Sequence, residues 1–576
     1  MSLNAALNIG QSALSASSLG IQIAGNNIAN VSTPGYSRQL ARLVPLRGDS
    51  SSWNVGSGVG IAAVQRQVDE AIEARLRTST ASAAYASAQS TIYSQVEDTL
   101  GELGKNDLSS QLSSFFSAWS ERANQTNSNS SVVQQGDQLA AFLQNLRGDL
   151  VSQRSQIQGQ LAGAVTRADQ LLSSIADLNG QISQAEVGGQ PANTLRDQRN
   201  SAVKELSGLI DVSVVDRGQG GFDVLTGSTP LVLGSQSRGI TLKHDVVNGQ
   251  QTTSVATKVN SQTLTPGSGQ IAAFASGSTS AIDDAISRVD GLASTLIYEV
   301  NKFHATGANA AGLTTTSSTA AFTLADRSRA FNDPANQSAQ DLAHAPTNGG
   351  FIVRVRNTNT GAEQTVRVNV DLDGINNAGQ PGTADDTSPE GLRAQLDGIT
   401  GISATFSPDG KLQVNADQGF EFNFEDDTSN ALASLGVNAY FTGGSAKDIA
   451  VRSDLKTDPN LLTAGRYENG AFVENGTALA LAGLQDQGVA SLGGQTIQQS
   501  WRDSYQSIGA GAAQAKTLAD AAGTVRDSLE SQRSAVSGVS IDEESINLLS
   551  FQNQYSAAAK LISVTDQLTQ TVINLV

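Results

Sequence analysis

One short segment has the side-chain spacing of a calcium-binding loop. Asn369, Asp371, Asp373 and Gln380 stand at positions 1, 3, 5 and 12, where an EF-hand places oxygen ligands and ends in a bidentate glutamate. The asparagine and the glutamine remove two carboxylates that tight sites use, although the Asp385–Asp386 pair lies nearby and can substitute for them. We predict a hairpin turn with side chains bonded to nearby backbone, and only a weak calcium-loop candidate at Asn369, Asp371 and Asp373.

No other group of residues has the spacing of an active site. His244, His304 and His344 are scattered without an HxH or HExxH pattern, and we expect them at the surface or beside helix ends. The chain has no cysteine, which excludes disulfides, cysteine-ligated metals and thiol nucleophiles. It also lacks a Gly-x-Ser-x-Gly elbow and a Walker loop. We therefore predict no enzymatic activity and no cofactor.

The low content of charged residues and the negative net charge argue against some classes of binding partner. Of the 576 residues only 16% are charged, against about 25% in an average globular protein. The net charge of −18 argues against nucleic-acid binding, which needs a basic surface. No apolar run approaches the length of a membrane span, so we predict no membrane insertion. Residues 1–30 carry no charge and so lack the basic region of a Sec signal peptide.

The two ends of the chain have the sequence pattern of helices whose surfaces are covered by neighbouring helices. Apolar and small residues alternate at spacings of three and four in residues 1–33 and again in 541–576. Between residues 545 and 576 only Lys560 and Asp566 are charged, whereas a solvated coiled coil carries charges outside its seam. We predict burial in an assembly, and the alternative is an ordinary terminal coiled coil. The predicted assembly interface consists of the large apolar seam residues Leu3, Leu7, Leu14, Ile21, Ile28, Leu548, Phe551, Tyr555, Ile562, Leu568 and Val572.

Between these ends, helical periodicity alternates with β-rich stretches. Single apolar stripes, such as the one between Val132 and Glu186, predict helices that pack as a bundle. Short alternating runs between glycine-rich turns predict strands. The fold class is therefore α+β multidomain, with a terminal coiled coil, a helical bundle stalk and β-rich inserted domains. The predicted domains are paired terminal helices (1–33 with 541–576), a stalk (34–210, 281–310 and 481–540), a first β-rich insertion (211–280) and a second, outer one (311–480).

Two terminal segments carry a family resemblance. Residues 26–30 read NNIAN, and residues 33–39 read TPGYSRQ. The C-terminal stretches GVSIDEE (538–544) and FQNQYSAAAK (551–560) form a second match. Both segments resemble the signatures of the flagellar axial proteins, which are rod, hook and hook-associated proteins. The C-terminal match departs from the family pattern at Ser556 and Ala558, where glutamine and asparagine are more frequent.

Within this family, the TPGYSRQ form is more similar to the hook-associated members than to the hook protein, which usually has Thr-Gly-Phe there. Three internal stretches support that choice, namely LRDQR (195–199), YFTG (440–443) and DIAV (448–451). The resemblance is strong at both ends and moderate in the helical middle. Residues 311–430 match only in general character.

The resemblance implies a structural protein whose paired terminal helices form the inner tube of the flagellum. It implies a helical ring or short tube that joins hook to filament, and an extracellular location at that junction. The implied partners are further copies of this chain, the hook protein, the second junction protein (hook-associated protein 3) and a flagellar export chaperone. Export is expected to follow the flagellar type III route, without a cleaved signal peptide.

Two other functions stay open at this stage. The chain could be another axial subunit, such as a hook or distal rod protein. Less favoured is a secreted adhesive or enzymatic module carried in residues 311–480, which would need a concave polar site there.

Overall fold

A computed structural model describes residues 3–47, 56–101, 107–125, 128–218, 221–247 and 250–574. Long helices alternate with small antiparallel sheets in this part of the chain. The helices are α1 (Leu3–Ala29), α2 (Glu70–Leu100), α3 (Leu108–Asn124), α4 (Asn129–Ala185), α5 (Asn193–Leu209), α6 (Gln270–Ala305), α7 (Gln337–Gln340), α8 (Pro389–Asp397), α9 (Ala431–Leu435), α10 (Ser453–Thr457), α11 (Gly476–Gly483), α12 (Ile497–Ser537) and α13 (Ile541–Asn574). The strands are β1 (Gln39–Pro45), β2 (Val59–Arg66), β3 (Ser213–Asp216), β4 (Phe222–Thr226), β5 (Thr229–Leu233), β6 (Gln236–Ser237), β7 (Ile240–Val247), β8 (Gln250–Thr257), β9 (Thr263–Leu264), β10 (Thr315–Ala321), β11 (Gly349–Asn357), β12 (Glu363–Val370), β13 (Ile402–Phe406), β14 (Lys411–Ala416), β15 (Phe420–Glu425), β16 (Phe441–Thr442), β17 (Ala450–Val451), β18 (Arg466–Glu468) and β19 (Ala471–Val473).

The α+β multidomain class predicted from the sequence is confirmed. The chain forms two compact units, the first from Met1–Ile92, Gln156–Thr279 and Ala512–Val576, and the second from Tyr93–Ser155 and Ser280–Gly511. Helices α2, α4, α6 and α12 each contribute residues to both units. The segments predicted to form a single stalk are consequently distributed over the two units. None of the described helices is long and apolar enough to cross a membrane.

Two elements differ from the predicted domain content. The antiparallel hairpin β1–β2 lies inside the predicted helical stalk. Helix α6 begins at Gln270, inside the predicted first β-rich insertion, directly after Gly269. Gly269 has a φ of +88°, and its N–H donates to the Ala81 carbonyl oxygen. This left-handed residue, which favours glycine, turns the chain from the strand-rich segment into the helix.

The core of the first unit lies between helices and two antiparallel sheets. The sheets have the strand orders β3-β4-β5-β6 and β7-β8-β9. Helix α4 presents a stripe with helical spacing to them, because Leu161, Val165, Ala168, Leu172 and Ile175 are all buried. The Arg199 guanidinium of α5 lies over the Phe222 ring of β4, with its Cζ 3.6 Å from the ring centroid.

The second unit has a strand-rich core in residues 311–480. Its two three-stranded sheets have the orders β12-β11-β15 and β10-β14-β13. Strand β11 alternates as a half-buried strand should, because Phe351, Val353 and Val355 are buried. Phe422 and Phe424 of the paired strand β15 are also fully buried. The apolar side chains of these sheets therefore cover one another within the unit.

His304 lies at a helix end, one of the two expected locations, but it is not at the surface. His304 is fully buried in the last turn of α6, and its Nδ1 donates to the Asn438 carbonyl oxygen at 2.8 Å. Burial, with a smaller effect of the nearby Arg452 charge, lowers the pKa of His304 to about 3. The ring therefore stays neutral, so its burial among aromatic neighbours does not carry the desolvation cost of a charged group. His344 stacks on the Tyr298 ring with centroids 4.1 Å apart, and burial lowers its pKa as well.

Candidate assembly site at the terminal helices

Helices α1 and α13 pack against each other in antiparallel orientation. Gly10 faces Ile562 and Gly20 faces Phe551, so residue numbers rise along one helix as they fall along the other. A Cβ added to Gly20 would lie 2.5 Å from Phe551 Cδ1, and one added to Gly10 would lie 2.7 Å from Ile562 Cγ1. The two glycines therefore permit a helix approach that a larger residue at either position would prevent.

Most buried residues of α1 are small, although the large residue Ile23 is buried as well. The small seam positions Gly10, Ser17 and Ala24 are buried, and so are Gly20 and Asn27. The sequence reasoning singled out large seam residues and missed Gly20 and Asn27, although small residues at spacings of three and four were a visible signal. The large residues predicted for the interface lie half-buried beside these buried residues: Leu3, Leu7, Leu14, Ile21 and Ile28.

In the seam of α13 the small residues are buried, whereas several of the large residues are exposed. Ala558 and Thr565 are buried. Of the large residues predicted for the interface, some lie half-buried and others are exposed. Leu548, Phe551 and Ile562 belong to the half-buried group, and Tyr555, Leu568 and Val572 to the exposed group. The ends of the predicted segments, residues 1–2 and 575–576, lie outside the described residues.

Helix α13 also exposes large apolar side chains outside the seam. Ile546, Leu549 and Ile573 have relative exposures of 68%, 60% and 67%. After the acidic first turn, the only charged residues of the helix are Lys560 and Asp566. A long helix face with exposed apolar residues and so few charges is typical of a surface that binds another protein.

Where α1 ends and α13 begins, the side-chain amide of Asn27 joins three segments: the end of α1, residues 36–39 and the first turn of α13. Its Oδ1 accepts hydrogen bonds from the Tyr36 hydroxyl at 2.7 Å and from the Gln39 N–H at 3.0 Å. Its Nδ2 donates to the Gln39 carbonyl oxygen at 2.9 Å and to Glu544 Oε2 at 3.0 Å. All four hydrogen-bonding positions of the amide are thereby filled. The fully buried Asn27 fixes the end of α1 to β1 and to the first turn of α13.

Charged groups complete this connection. Arg38 donates to Glu544 Oε1 through Nε at 2.8 Å, and its Nη1 lies 2.8 Å from Glu543 Oε2. The Arg38 backbone N–H donates to the Ser537 carbonyl oxygen at the end of α12. Burial, with Asp197 and Glu544 nearby, raises the pKa of Tyr36 to about 12. Its hydroxyl therefore remains a neutral donor to Asn27 across the physiological pH range.

The LRDQR stretch of α5 also contributes to this region. Asp197 Oδ1 accepts from Arg66 Nη1 at 2.8 Å, and Asp197 Oδ2 accepts from the Ser37 N–H at 3.3 Å. Two residues later, Arg199 donates to Asn179 Oδ1 at 2.7 Å. Three motifs that are far apart in sequence therefore meet in the first unit. We name Asn27, Tyr36, Arg38, Asp197 and Glu544 the terminal clamp. Its chemistry is structural, because each polar group is used to hold another segment in place.

The weak calcium-loop candidate does not fold as an EF-hand. Asn369 lies in strand β12, where its backbone bonds the Gln395 side chain. Beyond Asp371 the chain forms the predicted hairpin, with a bridge between Ile375 and Pro381, and Asp373 Oδ1 accepts from the Ile375 N–H. Asp371 and Asp373 do come close to a third carboxylate, that of Asp386, which the loop spacing did not include.

Comparisons with known proteins agree with the resemblance of both ends. Three family models match the chain: a flagella basal body rod protein model over residues 7–36, the flagellar hook-associated protein FlgK helical domain over 93–322 and the flagellar basal body rod FlgEFG protein C-terminal model over 530–575. Together they cover more than half of the chain. The two terminal models contain most of the residues of α1 and all of those of α13.

Three similar proteins carry one name, flagellar hook-associated protein 1. The protein of Escherichia coli (strain K12) is 24% identical over 590 residues, and that of Salmonella typhimurium (strain LT2) over 599, with full coverage of both chains in each case. The protein of Bacillus subtilis (strain 168) is 30% identical over 226 residues, which are 37% of this chain and 45% of that protein.

A solved structure supports the fold. The flagellar hook junction protein FlgK from Burkholderia pseudomallei matches with a TM-score of 0.52 and 15% identity, covering 81% of this chain and all of that one. The matched helical domain, the full-length relatives and this structure agree with one another. The chain is similar to flagellar hook-associated protein 1 over its full length and to the FlgK helical domain over residues 93–322.

Proposed function

We propose that this protein is a structural junction subunit of the bacterial flagellum, which assembles into a helical ring or short tube between hook and filament. The observation that carries the proposal is the exposed apolar face of α13, a helix with only two charged residues after its acidic first turn. Water does not satisfy such a face, whereas neighbouring subunits cover it. The role of the helix pair is therefore cohesion between subunits, and no catalytic step is part of the proposal.

The proposed partners follow from this position. Each subunit offers one surface to a different surface of its neighbour, and contacts of that kind generate open helical arrays. Hook protein lies on one side of the array and hook-associated protein 3 on the other. Before assembly the chain crosses the type III export channel, with a flagellar export chaperone as a further partner in the cell. Its final location is extracellular.

The test places one charge on the exposed face. Leu549→Asp and Ile546→Asp change side chains that contact solvent in the single chain, so secondary structure and melting temperature should remain as in the wild type. A charge buried between subunits is costly, and we expect export without incorporation, detached filaments and loss of swimming. The control is Leu324→Asp in the second unit, at a residue that is 81% exposed, with swimming expected to be normal.

Immunogold labelling of isolated hooks, together with swimming rates, gives the readout. Normal swimming and labelling of both α13 variants would contradict the proposed assembly face. Loss of swimming by the Leu324→Asp control as well would show that any exposed charge disturbs the protein, and the α13 face would lose its special role.

A further inference from the structure

Three aspartates of the second unit share one small space. Asp371 and Asp373 follow strand β12, and Asp386 precedes helix α8. One carboxylate oxygen from each lies within 4.8 Å of the other two. Two ligands on opposite sides of Ca²⁺, bound at 2.3–2.6 Å, are about 4.6–5.2 Å apart. A single calcium ion therefore fits between the three oxygens.

Asp386 gives an independent indication of a cation. Its side chain is only 6% exposed, and its Oδ2 accepts from Asn332 Nδ2 at 2.7 Å. Its Oδ1 has no hydrogen-bond partner among the described residues. None of the ion pairs in the described part of the chain involves Asp371, Asp373 or Asp386. A buried carboxylate without a counter-charge is strongly unfavourable, and a bound cation removes that cost.

The backbone holds these carboxylates together. The Asp371 N–H donates to Thr387 Oγ1 at 2.8 Å, and the Thr387 N–H donates to the Asp371 carbonyl oxygen at 2.7 Å. This reciprocal pair sets Asp386, the residue before Thr387, beside Asp371. The next residue, Ser388, caps α8 by accepting from the Gly391 N–H at 3.0 Å. The position of Asp386 is thus determined by the contacts of the two residues that follow it.

Further oxygens without partners belong to the same region. Asn332 Oδ1, on the amide that bonds Asp386, is buried and has no partner among the described residues, and the same is true of Asp385 Oδ1. Ca²⁺ takes six to eight oxygen ligands in irregular geometry, whereas Mg²⁺ prefers one or two carboxylates and keeps several waters. The supply of oxygens favours the larger ion.

We propose that Asp371, Asp373 and Asp386 bind a calcium ion, with Asn332 as a candidate further ligand. The site differs from an EF-hand, because its third carboxylate comes from beyond the hairpin instead of from position 12. Its binding stabilises the loop between β12 and α8. The proposal goes beyond the proposed junction role and does not depend on the terminal helices, so the two can fail separately.

The first test is calorimetry on the full chain, stripped with EDTA and dialysed, titrated with calcium chloride and then magnesium chloride. We expect one calcium ion per chain with a dissociation constant of about 0.1–1 mM, as in extracellular modules, and at least tenfold weaker magnesium binding. Asp386→Asn and Asp373→Asn should each weaken calcium binding at least tenfold. The control Asp417→Asn changes the net charge equally at another exposed turn and should bind as the wild type does.

The second test is thermal unfolding, which also shows whether Asp386→Asn folds. Without calcium this variant should melt at or above the wild-type temperature, since it lacks the uncompensated buried charge. With 10 mM calcium the wild type should gain melting temperature by mass action, and the variant should not.

Three results would overturn the proposal. They are no saturable calcium heat for the wild type up to 10 mM, equal affinities for Asp373→Asn and Asp417→Asn, and a calcium-induced melting shift that Asp386→Asn retains. Because Asp373 is exposed, its variant decides the question even if Asp386→Asn does not fold.

Discussion

Large apolar side chains are buried in the strand-rich core of residues 311–480, whereas several on helix α13 are exposed. In the core, Phe422 and Phe424 are fully buried by other strands of the same chain. On α13, Leu549 and Ile573 remain mostly exposed although the helix packs along α1. Both segments contain large apolar residues, so composition alone does not distinguish them.

The two regions differ in whether their apolar side chains are buried within the single chain. The sheets bury their apolar faces within one chain, so the folded chain alone accounts for their stability. The helix pair has a polar connection at one end, the terminal clamp, and small residues along its contact, while several large apolar side chains of α13 remain exposed to solvent. In the proposed assembly, the stability of this pair would depend on subunit concentration.

The largest effect that separates the two regions is expected from truncating one side chain in each. Phe424→Ala creates a cavity in a closed core and should lower the free energy of unfolding by about 3–5 kcal/mol. Leu549→Ala, at an exposed position, should change it by no more than about 0.5 kcal/mol. Urea unfolding of both purified variants measures this. Equal losses would mean that α13 is stabilised within the single chain as fully as the sheets are.

Acid should weaken the second unit through His304. Because its pKa of about 3 in the folded chain lies below the ordinary 6.5, the unfolded chain takes up a proton as pH falls below 6.5 and the folded chain does not. Stability is therefore lost between pH 6.5 and 3, by about 1.4 kcal/mol for each pH unit. Comparing wild type with His304→Gln between pH 6.5 and 4.5 removes the contribution of other groups. Parallel stability curves would contradict the assignment.

A smaller effect should follow from adding one methyl group to α1. Gly20→Ala places a Cβ against the Phe551 ring and should destabilise the helix pair by about 1–3 kcal/mol. Gly25→Ala in the same helix has open space around the added Cβ and should be neutral or slightly stabilising, since alanine favours helix over glycine by up to about 1 kcal/mol. Amide hydrogen exchange of α1 reports on both. Equal protection in the two variants would show that the close contact at Gly20 is not maintained in solution.

The fold could be predicted from the sequence wherever a local pattern determined it. The spacing of three and four residues identified both terminal helices, and the proline after Thr33 indicated where the first of them stops. Alternation in Phe351–Val355 identified a strand whose partners the sequence did not name. The β1–β2 hairpin was missed, since it lies in a segment assigned to the stalk by its helical neighbours.

The sites were harder to predict, because their residues meet only after folding. The sequence marked Asn27 and Glu544 as parts of two separate motifs, and nothing in either motif shows that their side chains bond. Asp386 was noticed beside the calcium-like loop, but its burial and its approach to Asp371 depend on the hydrogen bonds of Thr387. His304 carries no local signal of burial, since its neighbours come from residues more than a hundred positions away.

The Asn27–Glu544 bond has a consequence for the order of folding. It joins residues 517 positions apart, and the entropy of closing a flexible loop of that length costs about 5 kcal/mol or more. The segments between these two residues must therefore fold first and bring both ends near each other. A nascent chain that has not yet presented Glu544 leaves Asn27 with a free amide hydrogen and Arg38 without its carboxylates. The clamp thus closes last, and it closes only on a chain that carries both of its ends.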